Sequence, residues 1–268
     1  MSSLPHIIAD QIRALSLQLV HHAKASHIGS ALSIADLLGV LISDSELCRL
    51  SVSDDCERDR VILSKGHACV SFYSALHIKG FFSRDELFTY GKDFSSFMNH
   101  VSHHVPGVEF STGALGHGLP LACGKALAAK ISGKSWFSFV IMSDGEIQEG
   151  SNWEAFLFAA HHQLSNVIAL IDYNNLQSLT TVDETISLRP LDDKLKAFGW
   201  HVQTINGHDH EAIKTAILTA KAIPLPTAVI LKTIKGKGVS FMENQVAWHY
   251  KTPNSEELRQ ALGELHVS

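Results

Sequence analysis

From about residue 117 onward, apolar runs of strand length alternate with segments of helical periodicity. The runs at 136–142, 167–172 and 227–232 are nearly continuous in apolar residues, 59–63 is shorter, and 200–205 is interrupted by polar residues. The segments 117–131, 149–163 and 209–222 read as helices. Nearer the N-terminus, Ile7, Ile8, Ile12, Leu15 and Leu19 recur at helical spacing. A second helix is predicted at 33–42, capped by Ser33, and a third at 68–80, stopped by Gly80. The stretch from about 91 to 112 reads as a loop. Strands without polar alternation, separated by helices, predict a parallel sheet covered on both faces. The expectation is an α/β, doubly wound, mainly parallel fold. A single domain over 1–268 with a helical N-terminal segment is expected, since no repeat or Gly-, Ser- or Pro-rich linker divides the chain.

Composition narrows the function classes. Hydrophobic residues make up 45% and charged residues 18%, in the range of a globular protein. A net charge of -5, without a long basic run, gives no electrostatic footprint for nucleic acid. No apolar run reaches the roughly 18 residues that a membrane span needs. The first residues read as an amphipathic helix rather than a secretory signal. Cys48, Cys56, Cys69 and Cys123 show no paired spacing, so a zinc or redox motif is not expected and a cytoplasmic location is.

Two polar residues then stand out by position. Asp144 follows the run "WFSFVIMS", and Asn174 follows "NVIALIDY", thirty residues later. In an open α/β sheet, ligands bind beyond the carboxyl ends of the strands. One carboxylate, one amide oxygen and a backbone carbonyl near Leu176 form a hard-oxygen set that suits Mg2+ with a diphosphate. Gly145 lets phosphates approach the backbone, and the start of the helix at 149 adds partial positive charge. The plainer alternative is that Asp144 and Asp172 are helix caps or turn residues.

"SDGEIQEG" followed by "YNN" is similar to the thiamine-diphosphate motif, and its surroundings resemble the N-terminal half of a transketolase. The segments "KASHIGSALSIADLLGVL" (24–41), "DRVILSKGHACVSFYSAL" (59–76), "PGVEFSTGALGHGLPLACGKALAAK" (106–130) and "KTIKGKGVSFMENQVAWH" (232–249) carry the resemblance in order. It implies thiamine diphosphate as cofactor, with Mg2+ or Ca2+ held by Asp144, Asn174 and the carbonyl of Leu176. It also implies Gly145 and Glu146 beneath the diphosphate, His67 in contact with it, and Gly113 and Leu115 along the rest of the cofactor. His27, His100 and His249 match substrate-channel histidines, and Glu149 matches a glutamate at the dimer interface. His6, His21, His22, His161, His162, His208, His210 and His266 are read as surface or satisfied core residues.

Transketolases are more than twice this length, and their middle domain, with the glutamate that activates the cofactor, has no counterpart here. The resemblance therefore implies the N-terminal subunit of a split transketolase, inactive alone. Its partners would be a second copy of itself in an α2β2 assembly, a C-terminal subunit, and sugar phosphates. The reaction implied is transfer of a two-carbon ketol unit from a ketose phosphate to an aldose phosphate. Two departures mark the chain: Ser143 replaces the first Gly of the motif, and Tyr250 follows His249 where the family has Gly. A related transferase for an unusual sugar, or a non-catalytic subunit of the same fold, remain as alternatives.

Overall fold

The central strands pack by simple alternation. The structure, a computed structural model, describes residues 3–53 and 55–265; His266 lies outside them. β1 (Arg60–Leu63), β2 (Ser138–Ser143), β3 (Val167–Tyr173), β4 (His201–Asn206) and β5 (Thr227–Lys232) form one all-parallel sheet in the order β1-β2-β3-β5-β4. Phe139, Ile141, Ile168 and Leu170 point into one hydrophobic core. Val140, Met142, Ala169 and Ile171, their neighbours in sequence, point into another across the sheet. With both faces buried, polar alternation has no place in these strands. β4 lies at the sheet edge and is only partly buried, consistent with its interrupted apolar run.

The first core is closed by α1 (Leu4–Ala23), α2 (Ile28–Ser33), α3 (Ala35–Ser43) and α4 (Cys69–Ile78). The short α5 (Arg84–Leu87) follows, and the second core is closed by α6 (Gly118–Ile131) and α7 (Gly150–His161). After β3 come α8 (Val182–Ile186) and α9 (Leu191–Ala197), then α10 (His210–Ala222) and α11 (Ser255–Glu264). No helix among the described residues is long and apolar enough to cross a membrane.

Three details differ from the sequence reading. Ser33 ends α2 instead of capping the next helix. Its hydroxyl donates to Asp172 at 2.5 Å, and the chain breaks at Ile34 before α3 begins. The helix expected over 149–163 is preceded by a separate 3-10 turn, Gly145–Gln148, and begins at Gly150. The stretch 174–199, where periodicity predicts no element, holds α8 and α9, both too short for it to reveal. Gly80 does mark the end of α4, two residues on, at φ +92° where a side chain would be strained.

Candidate active site

β2 and β3 run side by side, with Ser143 opposite Asp172, and the Asp144 N–H donates to the Asp172 carbonyl at 3.1 Å. The two strand ends are therefore neighbours, and Asp144 joins them. Its Oδ1 accepts from the Gly145 N–H at 2.8 Å and its Oδ2 from the Asn175 N–H at 2.5 Å. The side chain does cap the 3-10 turn, in keeping with the plainer alternative, while also facing a cavity of about 250 Å³. Asn174 donates to Asp172 and accepts from the Leu176 N–H at 3.0 Å, so its amide oxygen turns toward the same loop. Asp144, Gly145, Glu146, Asn174 and Leu176 all line the cavity.

The same cavity carries four imidazoles. His27, His67, His100 and His249 line it, with Gly113 and Leu115 beside them. The His27 ring centre lies 5.3 Å from that of His67, 5.7 Å from His100 and 5.0 Å from His249. His27 adopts a left-handed backbone (φ +70°), uncommon for a residue with a side chain; its N–H donates to the His249 carbonyl at 2.7 Å. His67 Nε2 pairs with the Ser30 hydroxyl at 2.9 Å.

Burial, then the charges of nearby groups, sets the electrostatics. Burial first, with His100 and the lysines Lys235 and Lys65 adding to it, lowers His27 to about 4. Burial and Lys235 lower His249 to about 3, and burial takes His67 well below its ordinary value. These rings are neutral near pH 7 and can each donate and accept one hydrogen bond. Burial and the charge of Asp172 raise Asp144 to about 7. Glu146 is also raised by burial, and its carboxylate is turned away, accepting from the Ser64 hydroxyl and the Gly116 N–H.

Beneath the site lies a wholly buried ion pair, Lys65 with Asp172. Burial alone would raise Asp172, but the Lys65 charge together with the hydrogen bonds from Lys65, Ser33 and Thr233 outweighs it and holds the carboxyl below its usual range. Ser33 and Thr233 donate to the other Asp172 oxygen.

Lys235 is the main lining residue that the sequence did not disclose. Buried in the cavity wall, it donates to the carbonyls of Leu176 (3.0 Å) and Gln177 (3.1 Å) and meets His249 Nδ1 at 2.9 Å. Burial and Lys65 lower it to about 8. Its one signal is its place in "KTIKGKG"; a lysine in a loop is otherwise indistinguishable from a solvated one. Ser30, Gln177 and Ser178 went unmarked too, while Ser143 and Tyr250, marked as departures, both reach the cavity. Glu149 does not line it; it is exposed at the start of α7, against Gly116. The start of α7 is likewise absent from the lining, which holds Gly145 and Glu146 of the preceding 3-10 turn instead.

The donor chemistry fits a divalent cation. Asp144 is buried against two uncharged N–H donors, and a raised carboxyl there is the mark of a place short of positive charge. With the Asn174 amide oxygen and the Leu176 carbonyl it offers three hard oxygens, each with a lone pair left.

Comparison with known proteins gives the family. A family model described as "Transketolase, thiamine diphosphate binding domain" matches residues 5–266. An apulose-4-phosphate transketolase subunit of Phocaeicola vulgatus is 38% identical over 261 residues, covering 96% of this chain and 92% of its own. A 6-deoxy-6-sulfo-D-fructose transketolase subunit of a Clostridium species is also 38% identical over 261 residues, covering 94% of its own length. Among solved structures, transketolase from Campylobacter jejuni superposes with a TM-score of 0.93 at 30% identity, over 99% of this chain and 43% of that one. Human transketolase is 32% identical over 259 residues, which cover 96% of this chain and 41% of the human protein. The chain belongs to the family of transketolase thiamine diphosphate binding domains.

Proposed function

We propose that this chain is the diphosphate-binding subunit of a two-chain ketol transferase acting on sugar phosphates. The observation that carries the reading is one cavity lined by both hard oxygens and imidazoles that are neutral near pH 7. Asp144, Asn174 and the Leu176 carbonyl would hold Mg2+ or Ca2+, and His67 would contact the diphosphate. Bound thiamine diphosphate supplies the electron sink that lets the carbon–carbon bond beside a ketose carbonyl break. The chain's own work is positional. His27, His100 and His249, neutral and close together, would bind sugar hydroxyls and move protons near pH 7. Lys235 ties His249 to the Leu176 carbonyl through one ammonium group.

The Phocaeicola relative is named as one subunit of its transketolase, which supports a separate second chain here, the C-terminal subunit. Both relatives are named for sugars other than the common pentose phosphates, and Tyr250 stands at the cavity mouth here. An unusual ketose phosphate is thus the better-supported donor. The test is a coupled ketol-transfer assay over a panel of donors and acceptors, with this chain, a transketolase C-terminal half and the pair. Turnover is expected from the pair alone. Turnover by this chain by itself, or a pair that fails to bind thiamine diphosphate, would overturn the proposal.

A further inference from the structure

Outside the cavity lining, a second set of polar side chains gathers around a buried carboxylate, with Arg13 buried and two histidines partly buried. Asp36, on α3, sits at its centre. Arg13 of α1 pairs with Asp36 Oδ2, His208 Nδ1 meets the same oxygen at 2.7 Å, and His210 Nε2 meets Oδ1 at 2.8 Å. Burial alone would raise Asp36, but the bonds from the two histidines and the Arg13 charge hold it well below the usual carboxylate range.

The outer atoms of this set grip one loop at both ends. The Ile234 N–H donates to His208 Nε2 at 2.8 Å, and Arg13 Nε donates to the Lys237 carbonyl at 3.0 Å. Between these points lies Lys235, whose ammonium reaches into the cavity to Leu176, Gln177 and His249. A backbone N–H can only donate, so His208 Nε2 is unprotonated and its proton sits on Nδ1, directed at Asp36. The carboxylate thus fixes the tautomer that accepts from the loop, as an outer partner orients a metal-ligating imidazole.

We propose that His208, oriented by Asp36, is a positioning residue that holds the Ile234–Lys237 loop and thereby the Lys235 ammonium of the candidate site. The consequence for cofactor binding rests on the functional reading above; the hold on the loop does not.

The test separates the two bonds of one imidazole. In His208→Asn the amide nitrogen replaces Nδ1 and keeps Asp36 but leaves Ile234 unpaired. In His208→Gln the longer side chain brings an oxygen to the Nε2 position and keeps Ile234. Hydrogen–deuterium exchange of the free protein should show residues 233–238 exchanging on the order of tenfold faster in His208→Asn and near the wild-type rate in His208→Gln. Thiamine diphosphate affinity, measured with Mg2+ by calorimetry, should fall about fivefold to tenfold in His208→Asn alone, with similar thermal midpoints for both variants. Equal exchange in both variants, or an affinity loss that follows the thermal midpoint, overturns the proposal. If the wild type binds no thiamine diphosphate, the functional reading fails, and the exchange difference still decides the hold on the loop.

Discussion

Asp144 is buried, and both its oxygens bond only to uncharged backbone N–H groups. A divalent cation would give that carboxylate a direct charged partner. Asp144→Ala should weaken Mg2+-dependent thiamine diphosphate binding by more than about a hundredfold while leaving the sheet intact, since the strand pairing uses its backbone. Unchanged calorimetric affinity would defeat the metal assignment. The histidines give a pH dependence of definite sign. His27 and His249 are lowered to about 4 and about 3, so they are neutral when folded but protonated when unfolded below about 6.5. Their contribution to stability in the absence of ligand should therefore fall as pH drops from about 6.5 toward 4, against the opposite contribution of Asp144, raised to about 7. Urea denaturation should show that slope reduced in a His27→Gln, His249→Gln double variant. Tyr250, 59% exposed with its ring 4.7 Å from His249 and 5.9 Å from His27, narrows the mouth. Tyr250→Gly should shift relative kcat/KM among ketose donors while leaving cofactor affinity alone; a uniform change across the panel would remove it from substrate choice. At this scale the sequence is most readable where a polar residue closes an apolar strand. Asp144 and Asn174 are placed by that grammar, whereas Lys235 is placed by tertiary packing against Leu176, which leaves no local trace.

Elements meet beneath the cavity through a single charge pair. Lys65, just past β1, and Asp172, near the end of β3, are wholly buried, and Ser33 of α2 and Thr233 beyond β5 donate to the same carboxylate. Removing one member of such a pair strands the other charge in a poorly solvated place. Lys65→Met should destabilise the chain by about 3–5 kcal/mol, measured by urea denaturation, and adding Asp172→Asn should restore part of that loss. A loss under about 1 kcal/mol would mean water reaches the pair. The strands are legible because burial on both faces leaves unbroken apolar runs. The short helices are not, though their start signals are present: Thr181 with Glu184 and Asn254 with Glu257 form reciprocal capping boxes. Periodicity over five or seven residues is too brief to register, while α11, ten residues long, has a sparse apolar face. Ser33 misleads for a related reason. A serine before an apolar run is the usual cap, and nothing local reports that its hydroxyl is drawn to Asp172 instead.

For the molecule as a whole, α6 and α7 leave apolar side chains uncovered. Ile131 is 77% exposed, Leu157 57% and Phe158 39%, beside an apolar groove between the two helices lined by Pro120, Cys123 and Ala155. Glu149 stands exposed at the head of α7, against Gly116 in the loop that carries Gly113 and Leu115 to the cavity. A second copy seated on this face would cover the groove and press on that loop, so association and cofactor binding should be coupled. We expect a homodimer of this chain, persisting within an α2β2 assembly once the C-terminal subunit is present. Stable interfaces bury about 1,600 Å² in total, and a charge at the centre of such a patch is strongly disfavoured. Leu157→Glu should therefore raise the dimer dissociation constant by at least about tenfold in light scattering or sedimentation. In the same variant, thiamine diphosphate affinity should fall in dilute samples and recover as protein concentration rises, because whatever binds the dimer better also favours the dimer. A wild-type chain that stays monomeric at every concentration, with and without the C-terminal subunit, would sink the assembly. A dimer whose cofactor affinity ignores concentration would keep the interface but detach it from the loop at Gly116.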